Sequence, residues 1–240
     1  MATVGIFLII GAAAFLQSLS GFGFSLLAVP LLALIVASKS AVVGSAGLGA
    51  VISLAVVARD REHVVWRTAA IFFGAALAGM PIGLLVIERV PERTLQAIIA
   101  VAVLGFSALL WRDVQLRTSS LAVELGVGVT SGILSTSTGM SGPPLVMALH
   151  ARHVPPQSFR ATLAAVFACG SITSLLLFAL VGEFDAQAHH VLLAGAPALL
   201  LGIALGEWRF RRIQPERFRA LVLLLLVASG VVSLAGALTG

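Results

Sequence analysis

Long apolar stretches, separated by short polar or proline-bearing breaks, divide the chain into eight units. Residues 3–37 are apolar but broken by Ser20-Gly21-Phe22-Gly23, and 41–58 end at Arg59-Asp60-Arg61-Glu62-His63. Residues 65–87 and 93–111 follow, and the polar stretch 112–120 then splits the chain. Residues 121–149 are broken by Ser135-Thr136-Ser137-Thr138-Gly139, and 157–181, 190–207 and 218–238 complete the series. The runs are continuous rather than alternating, so they predict helices and not the strands of a membrane barrel. A bilayer core of about 30 Å takes about 20 helical residues. Six units are therefore expected to cross. Within the two broken units, residues 25–37 and 143–152 are too short to do so.

Composition sharpens this picture. Apolar residues make up 59% of the 240 and charged residues 10%, against about 25% charged in a soluble domain. So few charges cannot cover a soluble surface. The mean hydropathy of +1.09 fits an integral membrane protein. The net charge of +5 is accordingly not read as a nucleic-acid footprint. Fourteen of the fifteen basic residues are Arg, with Lys39 the exception, and they cluster between apolar runs as the positive-inside rule expects. The single cysteine, Cys169, has no partner for an intramolecular disulfide and reads as a small packing residue. No Lys or Arg precedes the first apolar run, so a retained helix is expected rather than a cleaved signal peptide.

The two halves carry the same landmarks in the same order. Gly21-Phe22-Gly23 lies 118 residues before Gly139-Met140-Ser141 (139 − 21). Gly79 and Gly83 precede Gly202 and Gly206 by 123 (202 − 79), and Pro91-Glu92-Arg93 recurs at Pro215-Glu216-Arg217 (215 − 91 = 124). This spacing predicts a duplication: residues 1–112 form one repeat, 113–120 a linker and 121–240 the second repeat. Each broken unit either folds back as a hairpin or crosses once as a broken helix. Hairpins put twelve basic residues on one side and three (Lys39, Arg89 and Arg93) on the other; single crossings give ten and five. The positive-inside rule favours the hairpins. Each half then has an odd number of crossings, so the fold class expected is an all-α polytopic membrane protein of two inverted repeats, each a re-entrant hairpin plus three transmembrane helices. That architecture is common among secondary transporters, which bind substrate at the repeat interface.

The two breaks are the candidate site. Gly21 and Gly23 permit a sharp turn, and Ser25 is a candidate cap for the helix that follows. In the second half Ser141 and Gly142 precede Pro143-Pro144, a helix-start pattern. Both tips thus read as helix N-termini opened within the membrane, each carrying about +0.5 charge and free N–H groups that suit an anion. The expected substrate-binding residues are Ser20, Gly21, Phe22, Gly23, Phe24 and Ser25, with Thr136, Ser137, Thr138, Gly139, Met140, Ser141 and Gly142.

These tips, Gly21-Phe22-Gly23-Phe24-Ser25 with Pro30 and Gly139-Met140-Ser141-Gly142-Pro143-Pro144, resemble those of the TauE/SafE family of sulfite exporters. The resemblance covers nearly the whole chain, including the duplication and the repeated Pro-Glu-Arg. The family's commoner form has a run of glycines at each tip. This chain has Phe24-Ser25 and Ser141 there, and its second-half prolines are 143 and 144 rather than at Ala148, the counterpart of Pro30. The resemblance implies export of sulfite or a small organosulfur or organic anion.

Ionisable candidates are few. Glu124 lies in an apolar run and is a candidate for carrying a coupling proton, against the reading of a carboxylate near the interface. Arg160 is either a snorkelling surface residue or an anion-attracting vestibule residue. The His189-His190 pair and its acidic neighbours lack a metal-ligand spacing and read as a solvated loop. Trp66, Trp111 and Trp208 read as interface belts, and the GxxxG pairs as packing seams. The expectation is a non-enzymatic transporter with no cofactor or metal. Its partners are a small anion, the lipid bilayer, candidate coupling protons and a possible second copy of the chain. It is expected in a bacterial inner membrane and takes no nucleic acid. A passive anion channel and a structural membrane subunit are the alternatives.

Overall fold

The computed structural model describes residues 2–112, 120–152, 154–209 and five helical positions beyond them (227, 228, 230, 231 and 234). The expected last span 218–238 and the second Pro-Glu-Arg therefore lie almost wholly outside the described residues. Among the described residues the chain is helical and contains no strand. The first half runs α1 (Ala2–Ser20), α2 (Phe24–Leu32), α3 (Ser38–Asp60), a 3-10 turn at Arg61–His63, α4 (Trp66–Arg89) and α5 (Glu92–Trp111). The second runs α6 (Leu121–Ser137), α7 (Gly142–Ala151), α8 (Pro156–Leu180) and α9 (Ala186–Arg209).

Local chemistry explains the boundaries. Pro156 occupies the first position of α8, where its missing N–H costs nothing. Ser120 caps α6 by accepting from the Val123 amide, and Asp185 caps α9 by accepting from the Ala188 amide at 2.7 Å. The first amides of α3 are capped from a distance. Ser38 N donates to the Glu92 carboxylate and Ala37 N donates to Gln187 Oε1.

Among the described residues five helices are long and apolar enough to cross a membrane: α3 with its 3-10 turn, α4, α5, α8 and α9. Their outer faces leave large apolar side chains bare, as at Leu180 (82% exposed) and Leu193 (78%). Such faces would aggregate in water but suit lipid. Trp66 and Trp111 are exposed at helix ends. Cys169, expected to be a packing residue, is instead exposed on α8.

The broken units are hairpins. In the first, a side chain at Gly5 near the start of α1 would lie 3.2 Å from Ile35, just past α2. In the second, the Arg152 guanidinium after α7 pairs with Glu124 in the first turn of α6. Each hairpin thus leaves and returns at one end of the molecule.

Packing pairs elements of opposite halves. α1 lies along α9 as α4 lies along α6, and α3 packs on α8 between them. The glycine pairs are close seams. A Cβ at Gly79 would reach within 2.0 Å of Val129 O, and one at Gly83 within 2.1 Å of Ile133 O. At the other seam, a Cβ at Gly202 would come 2.5 Å from Gly11 O and one at Gly206 3.1 Å from Phe15 O. Val129 and Ile133 stand 118 positions after Gly11 and Phe15. The same backbone atoms are approached by the same glycines in both seams. Small residues are what let such helices approach this closely.

Candidate functional site

A cavity opens between the two hairpins, with about 490 Å³ of empty space including its mouth. Gln17 of α1, the first tip from Gly23 to Leu26, and Ala46, Gly49 and Ser53 of α3 line one side. Ser135 of α6, the second tip from Gly139 to Gly142, and Phe167 and Ser171 of α8 line the other. The lining is paired at one offset. Gln17 with Ser135, Phe24 with Gly142, Gly49 with Phe167, and Ser53 with Ser171 are each 118 residues apart. The cavity therefore sits where residues 118 apart in the two halves of the chain face one another. Among the described residues no charged side chain lines it.

Both tips turn on glycine. Gly21 and Gly23 have φ of 80° and 100°, and Gly139 has 70°, a region where a side chain clashes with the backbone. The α2 terminus is completed from α1, where Gln17 Oε1 accepts from Phe24 N at 3.2 Å. The amides of Ser25 and Leu26 have no acceptor within the helix. Ser25 is not the cap expected from the sequence. The capping position is Gly23, and Ser25 lies in the first turn facing the cavity. The α7 terminus is poorer in donors, because Pro143 and Pro144 have no N–H and only Gly142 retains one in the first three positions. Ser141 takes the capping position without a side-chain capping bond, and its carbonyl accepts from Ser131 Oγ at 3.0 Å.

Four hydroxyls lining the cavity, those of Ser25, Ser53, Ser141 and Ser171, have no hydrogen-bond partner among the described residues. Ser53 is only 1% exposed. A buried hydroxyl ordinarily finds a partner, so an unpartnered one aimed into a cavity marks where a ligand atom fits. Ser135 Oγ lies 3.1 Å from Ser174 Oγ.

The structure brings together seven of the thirteen tip residues in this lining: Gly23, Phe24, Ser25, Gly139, Met140, Ser141 and Gly142. The rest serve the scaffold. The hydroxyls of Thr136, Ser137 and Thr138, expected to face the anion, donate elsewhere. Thr136 bonds Met80 O at 2.7 Å on α4, Ser137 bonds Ile133 O and Thr138 bonds Leu134 O. Such bonds to nearby carbonyls satisfy these hydroxyls within the protein. Gly21 packs under Arg160, whose Cγ would be 2.8 Å from an added Cβ. Phe22 packs between two core clusters, and Ser20 closes α1. The tips pass one another rather than meeting end to end: Gly139 lies against Val29 of α2, whereas Gly21 lies against the start of α8.

Neither ionisable candidate enters the lining. Glu124 is buried and engaged. Its Oε1 accepts from Arg152 Nε at 2.6 Å, and Arg152 also donates to Thr68 Oγ1 at 2.7 Å on α4. Arg160 sits behind the first tip, near enough to Asp60 for their charges to interact. The outer-loop residues expected to be solvated are partly engaged: Glu183 pairs with Lys39 at 2.8 Å and Asp185 accepts from Ser40 Oγ at 2.8 Å. Gln17, Ser53, Ser135, Phe167 and Ser171 were not among the expected site residues. Their shared offset of 118 is the sequence signal that marks them.

Long apolar helices with bare apolar outer faces, packed around a hydroxyl-lined cavity, mark a polytopic membrane protein. The chain belongs to the sulfite exporter TauE/SafE family, whose model matches residues 6–233. It is thus a member of a membrane transporter family. A relative from Cupriavidus necator, described as "Probable sulfite/organosulfonate exporter TauE", is 26% identical over 216 residues, covering 85% of this chain and 82% of the relative. No solved structure matches the chain.

Proposed function

We propose that this protein exports a small sulfur oxyanion or organosulfonate across a bacterial inner membrane, holding it in the cavity between the hairpin tips. The observation that carries this reading is the set of unpartnered serine hydroxyls, beside two helix N-termini, in a lining drawn pairwise from both halves. Hydroxyl and amide donors bind an anion without a counter-cation. The relative's description as a sulfite/organosulfonate exporter supports the substrate class.

The two halves, 1–112 and 121–240, act in this reading as inverted repeats joined by the 113–120 linker. The matched seams and the paired lining support the duplication. The two ends of the molecule support the inversion. One gathers Arg59, Arg61, Arg152 and Arg160; the other gathers Lys39, Glu92, Glu183 and Asp185 around the starts of α3 and α9. The arginine-rich end is the cytoplasmic one. Alternating access then moves the α1–α9 and α4–α6 seams as units about the α3–α8 pair.

The test is flux into liposomes of a panel comprising sulfite, sulfate, thiosulfate, an organosulfonate, acetate and chloride. The expected result is saturable flux of a sulfur anion, abolished by Ser141→Leu at unchanged expression and fold. Undiminished flux in that variant, or unsaturable flux of the whole panel, contradicts the proposal.

A further inference from the structure

Resting on that reading of the cavity, we infer that the site accepts monoanions and rejects dianions, so that sulfite crosses as hydrogensulfite and carries its proton with it. The positive field at the site is limited. Two helix N-termini, those of α2 and α7, supply about half a charge each, or about one in total. Among the described residues no Lys, Arg or His lines the cavity. The stem of Arg160 packs against Gly21 and its charge acts on Asp60, and Arg152 is committed to Glu124 and Thr68.

Two observations independent of the helix ends point to a ligand. Ser53 is buried, lines the cavity and has no partner among the described residues. Ser171, its counterpart 118 residues on, is half-buried and likewise presents an unpartnered hydroxyl to the cavity from the facing helix. Neutral donors of this kind fill the lone pairs of a bound oxyanion but add no charge. One negative charge is therefore matched in the chamber. A second would remain uncompensated where Phe24, Met140 and Phe167 keep the dielectric low. These apolar groups also favour an anion with an uncharged side, such as the S–OH or S–H of hydrogensulfite or the methyl of a sulfonate.

The consequence concerns coupling. Among the described residues no titratable side chain in the lining offers a proton site. The proton enters as part of the substrate: hydrogensulfite moves as a unit of charge −1 and releases its proton on the side where the pH is higher. Flux is then sensitive to pH for substrates that titrate, and insensitive for those that do not.

The experiment uses the full chain in liposomes and follows counterflow of labelled methanesulfonate, a permanent monoanion. The competitors are sulfate, a permanent dianion, and sulfite at pH values on either side of its second protonation. Sulfate is expected to compete about a hundredfold less well than unlabelled methanesulfonate. Sulfite is expected to lose potency in step with its hydrogensulfite fraction as the pH rises, while methanesulfonate self-competition stays constant. Sulfate competing within a few-fold of methanesulfonate, or sulfite gaining potency with pH, overturns the charge selection. Ser53→Ala separates this from failure of the site. Weaker methanesulfonate competition in that variant keeps the cavity as the site whatever sulfate does, whereas unchanged counterflow in Ser53→Ala, or none in the wild type, removes the cavity reading and this inference with it.

Discussion

The two hairpins reach the same shape by different chemistry. The first turns on two left-handed glycines, Gly21 and Gly23, and borrows the Gln17 side chain to complete its short helix. The second uses a single left-handed glycine, Gly139, and stiffens the following helix with Pro143 and Pro144. At their open ends the contrast repeats. Ile35 approaching the bare backbone at Gly5 closes the first, while an ion pair with a buried carboxylate closes the second. The hairpin path is thus held in common, while the backbone at the two caps, left-handed at Gly23 and right-handed at Ser141, and the forces at the open ends are not. The donors differ as well. The first tip offers three amides, one of them already bonded to Gln17, and the second tip offers one amide beside the Ser141 hydroxyl. The chamber between them is symmetric in position but not in chemistry.

The largest expected effect breaks the seam comparison. Gly132 faces Ala76 O, which an added Cβ would approach to 2.0 Å. Its counterpart in the first half is Ala14 (132 − 14 = 118), so the other seam already holds a methyl group there. Gly132→Ala should destabilise the protein by about 3 kcal/mol or more, because backbone rather than a side chain must give way. Thermal unfolding in detergent measures it; a Tm within error of wild type would show that the seams are looser than described. Next comes the closure of the second hairpin. Glu124→Ala leaves Arg152 without its carboxylate and should cost about 3 kcal/mol, the low end for a broken buried pair, since the Arg152 side chain is 29% exposed. Ile35→Ala, the matching change in the first hairpin, should cost less than about 1 kcal/mol because Ile35 is 41% exposed. Equal losses in the two variants would erase the contrast between the hairpins.

Smaller effects sharpen the site. Ser53→Ala and Ser171→Ala should each weaken substrate binding by about 1.5 kcal/mol, roughly tenfold, through loss of one hydrogen bond to a charged group. Stability should be unaffected, because neither hydroxyl has a partner among the described residues. Isothermal titration or counterflow KM reads this; a change in only one of the pair would place the anion off the line relating the halves. The smallest effect is expected from Thr138→Val. Its hydroxyl serves only the Leu134 carbonyl, so transport should be unchanged and stability altered by no more than about 0.5 kcal/mol. A tenfold loss of transport there would return the α6 hydroxyl run to the site.

Much of the fold was legible because membrane spans are written in continuous apolar runs. The expected units 65–87, 93–111 and 157–181 lie within two residues of α4, α5 and α8. The tips were legible because glycine and serine interrupt those runs. The rest of the chamber was not. Ser53 and Ser171 are single serines within apolar helices, and a lone hydroxyl in a helix carries no local signal of where it points. The run Thr136-Ser137-Thr138 misled for the opposite reason. Three adjacent hydroxyls look like a binding loop, yet as the last residues of α6 and its cap they bond back to their own helix or to α4. Glu124 looked available to a proton until the chain's return at Arg152 brought a guanidinium beside it, a contact 28 residues away in sequence.

The most direct test of the central claim is a crystal structure of the protein with selenite, the selenium analogue of sulfite, located by its anomalous scattering. The account predicts one strong peak between Ser53 and Ser171, within hydrogen-bonding reach of Ser25 and Ser141 and of the free amides at the first tip. A peak at Arg160 or Arg152 with the chamber empty would contradict it.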